Sequence, residues 1–137
     1  MKLVEVVKGN QTKDEAAQII YELCKQLNKT PVLCKDAPGF IVNRVARHYY
    51  LQAMKIVEQG IATIENVDEI MEASGFKMGP FKLMDLIGMD VNLAVTQSMY
   101  QAFNKAERFA ASPMQTDKVA KGELGKKTGK GFYEYNG

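Results

Sequence analysis

The spacing of apolar residues changes character once along this chain. Residues 2–7, Lys-Leu-Val-Glu-Val-Val, are short, β-branched and mostly apolar around one acid, which predicts a buried strand. Gly9-Asn10 breaks the run, and Thr12-Lys13-Asp14-Glu15 has the spacing of a capping box. Ala16, Ile19, Ile20, Leu23, Cys24 and Leu27 then recur on one helical face, until Asn28 and Pro31 end it. Residues 31–35 form a second short apolar run. Strand, helix, strand is the signature of a crossover in an α/β sheet, and two strands make a poor sheet by themselves. The opening segment therefore reads as the tail of a larger α/β domain.

After Asp36-Ala37-Pro38-Gly39-Phe40, a turn or hinge, the period becomes helical. Residues 40–59 carry Val42, Val45, Tyr49, Ala53, Ile56 and Val57 on one side and stop at Gly60. Thr63 is placed to cap a helix over 64–73, and Gly79-Pro80 to start one running to Ile87. Asp90 is placed to cap a long helix over 91–111 that Pro113 ends, and a short helix follows over 114–122. A Gly/Lys stretch leads into an extended aromatic piece, Phe132-Tyr133-Glu134-Tyr135. The main body, 37–137, is thus predicted to be a bundle of about five helices. The eight methionines read as core filling, or else as a helix interface or acyl-binding surface.

Composition fits a globular chain: 137 residues, 46% apolar and 25% charged, with a net charge of +2. That charge gives no general field for nucleic acid. No apolar run is long enough to span a membrane, and no signal peptide is visible, which predicts a cytoplasmic protein. Cys24 and Cys34 match no zinc spacing and His48 cannot complete a site with them, so no metal is expected and both thiols read as reduced and buried.

Few residues offer chemistry. Glu5, an acid inside an apolar strand, either faces solvent, caps a neighbour or orients a histidine or lysine. Asn43, in the first turn after the hinge, either caps it or presents an amide to a substrate oxygen. His48 reads as structural or as a surface residue, and Arg44 and Arg47 as solvated or paired. Five lysines, at 118, 121, 126, 127 and 130, read as a solubilising face or as a basic loop that meets phosphate. The loop lacks Walker A spacing, and the chain holds no Gly-x-Gly-x-x-Gly.

Four stretches, in order, carry a resemblance. They are Met1-Lys-Leu-Val-Glu5-Val-Val, Lys35-Asp36-Ala-Pro38-Gly39-Phe40-Ile-Val-Asn43-Arg44, Met78-Gly79-Pro80-Phe81 with Asp85, and Gly125-Lys-Lys-Thr-Gly-Lys-Gly-Phe132-Tyr133. Together they resemble the second half of the 3-hydroxyacyl-CoA dehydrogenases, end to end. The resemblance implies that residues 1–36 are the remnant of a Rossmann-like NAD-binding domain. Residues 37–137 would be the helical domain that carries substrate-site residues and dimerises. Glu5 matches the acid that holds the family's catalytic histidine, Asn43 the asparagine near the substrate oxygen, and Lys127 a lysine that approaches bound NAD. The histidine itself, in a His-x-x-Asn-Pro motif just upstream, is absent from this chain, as are the glycine-rich NAD loop and a substrate-binding serine. The expectation is an NAD-dependent oxidation of 3-hydroxyacyl-CoA to 3-oxoacyl-CoA, as in fatty-acid β-oxidation, by a longer homodimeric enzyme of which this piece alone is inactive. The alternative is a stand-alone helical module for dimerisation or acyl-CoA binding, without catalysis.

Overall fold

The structure, a computed structural model, describes residues 2–135. It divides into two compact units, Met1–Arg44 and Val45–Gly137.

In the first unit, β1 (Leu3–Lys8) and β2 (Thr30–Lys35) pair in parallel, from Leu3 opposite Thr30 to Lys8 opposite Lys35. Helix α1 (Asp14–Gln26) makes the crossover that parallel pairing requires. Thr12 does not cap it. The helix starts one residue later than expected, behind Lys13, and the Thr12 hydroxyl instead accepts the Gly9 amide at 3.2 Å within the preceding turn. Asn28, at φ 53°, ends α1 in the left-handed conformation that asparagine tolerates.

Only Ala17 and Cys24 of α1 are buried; Ile19 and Leu27, predicted to face a core, are 67% and 60% exposed. The apolar stripe is present, but a two-stranded sheet cannot cover it. A parallel sheet buries both faces only when it is larger than this one. Both cysteines are free; Cys24 is buried and Cys34 half-buried.

Helix α2 (Val42–Glu58) leads into the second unit, followed by α3 (Ile64–Ala73), α4 (Pro80–Ile87), α5 (Met89–Ala102) and α6 (Pro113–Ala120). Thr63 caps α3 as expected, accepting the Asn66 amide at 3.2 Å, and Pro80 opens α4. The core holds Tyr50, Leu51, Ala53, Met54, Val67, Phe81, Met84 and Met89. Met54, Met84 and Met89 belong to that core, Met71 and Met114 pack partly against it, and Met99 is also buried.

Two helical expectations need correction. The buried side of α2 is Arg47, Tyr50, Leu51, Ala53 and Met54, whereas Val45 is 70% exposed. Of the expected side, Ala53 is buried and Tyr49, Ile56 and Val57 pack partly against the core, while polar Arg47 lies inside the buried stripe. The predicted helix over 91–111 stops at Ala102, where Asn104 and Lys105 both take positive φ, 53° and 58°. A 3-10 turn (Glu107–Phe109) then folds back so that the Phe103 and Phe109 rings lie 4.7 Å apart. No glycine or proline announced that break. Gly88, at φ 100°, rather than Asp90 is the N-cap of α5. Ser112 caps α6 in a full capping box with Gln115.

Candidate functional site

Glu5 projects from the centre of β1 and is half-buried. Its Oε1 accepts the backbone N–H of Ile41 at 2.7 Å and of Val42 at 3.2 Å. Those amides, just before and at the first residue of α2, lack carbonyl partners one turn back. A carboxylate there satisfies two orphan donors and complements the positive end of the helix dipole. The hinge that delivers them is unusual. Gly39 and Phe40 both have positive φ, 72° and 44°, and for a phenylalanine that is a strained conformation. Among the described residues, Oε2 of Glu5 carries no hydrogen bond.

Asn43 lies in the first turn of α2, directly after the amides that Glu5 holds. Its side chain is exposed and makes no hydrogen bond among the described residues. The structure thus brings Glu5 to the segment that presents Asn43. Cys34 stands on the neighbouring strand, its thiol pushed up by burial and by the charges of Glu5 and Asp36, so it is a poor nucleophile.

Lys127 belongs to the second unit, in the 3-10 turn Lys126–Thr128. Its ammonium bonds both carboxylate oxygens of Asp90, at 2.5 and 2.7 Å. That bond, with the Val91 amide, holds the Asp90 carboxyl below its ordinary range. The other loop lysines are engaged as well. Lys118 and Lys130 pair with Glu123, Lys121 pairs with Asp117, and Lys126 lies over the Tyr135 ring at 5.4 Å.

Local spacing carries no sign of why this loop is so rich in glycine. Asp85 is buried and accepts the Phe132 amide on Oδ1 and the Tyr133 amide and Tyr135 hydroxyl on Oδ2, at 2.9, 2.9 and 3.0 Å. A Cβ at Gly131 would stand 2.1 Å from Asp85 Oδ1, and one at Gly125 2.2 Å from the Asp85 carbonyl. The glycines are what let the loop close on that carboxylate. Asp68, also buried, accepts the Phe81 and Lys82 amides at the start of α4, at 2.8 and 3.0 Å, and the Tyr133 hydroxyl at 2.8 Å. Desolvation and these carboxylates push both tyrosine hydroxyls far above their usual range. Much of the Gly/Lys motif is therefore a latch between the tail, α4 and α5.

Arg47 corrects another expectation. It is 2% exposed and bonds only neutral groups: the Asn92 carbonyl, Asn92 Oδ1 and Thr96 Oγ1. The His48 ring packs tilted against the Phe109 ring, centroids 5.1 Å apart, which agrees with a structural role. No cluster of three metal-ligating side chains occurs among the described residues, and no helix there is long and apolar enough to cross a membrane.

Two family models match successive parts of the chain. Residues 39–135 match the family model described as "3-hydroxyacyl-CoA dehydrogenase, C-terminal domain", and residues 1–37 match "3-hydroxyacyl-CoA dehydrogenase, NAD binding domain". The chain is 48% identical, over 98% of its length, to the 3-hydroxyadipyl-CoA dehydrogenase of Escherichia coli, of which it covers 29%. It is 41% identical to the mitochondrial hydroxyacyl-coenzyme A dehydrogenase of Mus musculus, covering 98% of this chain and 43% of that one. The crystal structure of (S)-3-hydroxybutyryl-CoA dehydrogenase from Ralstonia eutropha superposes with a TM-score of 0.93 at 37% identity, over 100% of this chain and 48% of that one. The chain thus spans less than half the length of each of these relatives.

Proposed function

The chain belongs to the 3-hydroxyacyl-CoA dehydrogenase family, and from that premise we propose that it is the second half of an enzyme that oxidises a 3-hydroxyacyl-CoA to its 3-oxo form. The observation that carries this reading is the Glu5 carboxylate. One oxygen is committed to the amides of Ile41 and Val42, and the other is open for a histidine N–H.

In this reading a histidine upstream of Met1 takes the proton of the substrate 3-hydroxyl. Glu5 fixes the tautomer and orientation of that ring and stabilises the imidazolium that forms. Asn43 donates its side-chain amide to the substrate oxygen and favours the charge that develops there. Glu5 then acts twice, on the base through Oε2 and on the helix that bears Asn43 through Oε1. NAD, held mainly by the preceding part of the nucleotide-binding domain, supplies the hydride acceptor. Of this chain's residues Lys127 is the proposed neighbour of the cofactor. Its half-exposed ammonium is held in place by Asp90 and remains a donor toward a phosphate or carboxamide.

We also propose a homodimer through the helical unit, whose exposed Ile70, Phe76, Leu86 and Val91 suit a covered surface. Sedimentation as monomer alone at tens of micromolar, on the order expected to populate an obligate interface, counts against it. The name of the E. coli relative supports acyl chains that end in a second carboxylate among the substrates. A stand-alone module is the weaker reading, because it leaves Ile19 and Leu27 of α1 without a cover.

The test is Asn43→Ala in the enzyme completed by an upstream NAD-binding half. The expected result is a kcat lower by roughly 10²-fold with a smaller change in KM. An unchanged kcat overturns the role given to Asn43.

A further inference from the structure

Arg47 carries its charge inside the helical unit, and among the described residues no acid pairs with it. The guanidinium lies over the Tyr50 ring at 5.2 Å. Its Nη1 donates to the Asn92 carbonyl (2.9 Å), Asn92 Oδ1 (3.1 Å) and Thr96 Oγ1 (2.8 Å). These acceptors are already shared. Asn92 Oδ1 also receives Gln115 Nε2 at 2.7 Å, and Thr96 Oγ1 receives it at 3.0 Å. Two buried donors, Arg47 Nε and Asn92 Nδ2, have no partner.

Arginine is almost never fully buried unless paired, and an orphan buried donor is costly. This network is short of acceptors and of one negative charge at the same place. A water would supply an acceptor but not the charge. A carboxylate supplies both, in the forked geometry that guanidinium matches.

We propose that Arg47 and the Asn92 side-chain amide receive the terminal carboxylate of a dicarboxylic acyl chain, making Arg47 a specificity-determining residue. The assignment of the carboxylate to an acyl-CoA rests on the dehydrogenase reading; the carboxylate site itself rests on the Arg47 network. Because Arg47 is closed off, the ligand enters by a local side-chain opening.

The test reads the Arg47 Nε–H resonance by ¹H–¹⁵N NMR of this chain, assigned by its loss in Arg47→Lys, during titration with adipyl-CoA, hexanoyl-CoA, free adipate and adipamide. A saturable shift with adipyl-CoA and none with hexanoyl-CoA or adipamide is expected, with adipyl-CoA binding at least ~10-fold weaker in Arg47→Lys. A shift with adipate but not adipyl-CoA overturns the acyl source. An equal shift with hexanoyl-CoA, or no shift with any ligand, overturns the site. Asn92→Asp places a carboxylate inside the network, so this variant is expected to melt higher and to lose the adipyl-CoA response. A retained response overturns the proposal even if Arg47→Lys fails to fold. The resonance needs no turnover, so a responding site in an enzyme that oxidises nothing would sink the dehydrogenase reading alone.

Discussion

Glu5 Oε1 accepts the Ile41 amide at 2.7 Å across 36 residues of sequence, tying the middle of β1 to the entrance of α2. This bond holds the strained Phe40 turn in place and sets the first turn that presents Asn43. Glu5→Gln keeps an acceptor oxygen but removes the charge at the helix N-terminus. A loss of about 1 kcal/mol of stability is expected, with faster hydrogen exchange at Ile41 and Val42. Glu5→Ala should cost more. Unchanged exchange at both amides in Glu5→Ala would show that the carboxylate does not anchor the helix.

Gly131→Ala tests the latch on Asp85. The new methyl would lie 2.1 Å from a buried carboxylate oxygen, so the tail has to detach or the acid has to move. A loss of about 2–4 kcal/mol in chemical denaturation is expected. A variant within about 0.5 kcal/mol of the parent, the scatter of ordinary surface substitutions, would mean that the loop does not need its glycine.

The tail also sets an acid limit. Glu123 receives Lys118 and Lys130, whose bonds lower its carboxyl from the ordinary 4.5 to about 2. A lowered folded-state pKa favours the folded protein above pH 4.5, and that contribution is lost as pH falls from about 4.5 to about 2. Salt weakens it, since all three side chains reach solvent. The slope of melting temperature against pH in this window should flatten in Glu123→Gln. An identical slope in the variant assigns the acid sensitivity to another group.

Much of this was legible in the residues. The strand–helix–strand opening, the helices of the body, the Thr63 cap and the methionine core follow from period and capping alone. Glu5 stood out as an acid among β-branched residues, and the bond to Ile41 gives it one of the roles open to such an acid. What escaped has a common cause. Arg47, Asp68 and Asp85 are polar side chains buried by partners 13 to 65 residues away, and local spacing carries no signal for them. The break after Ala102 escaped because Asn104 and Lys105 adopt positive φ without a glycine to mark it. The exposed face of α1 has the pattern of a core helix, whereas among the described residues a two-stranded sheet is all that could cover it.

The most direct measurement is NADH formation from NAD and 3-hydroxybutyryl-CoA by this chain alone and by the same chain joined to an upstream half carrying the glycine-rich loop and the His-x-x-Asn-Pro motif. No turnover above background is predicted for the chain alone. The joined enzyme should turn over, with a rate that falls by 10²-fold or more, on the order seen when a catalytic base loses its orienting acid, in Glu5→Gln. Turnover by the chain alone, or a joined and folded enzyme that oxidises no 3-hydroxyacyl-CoA, would contradict the account.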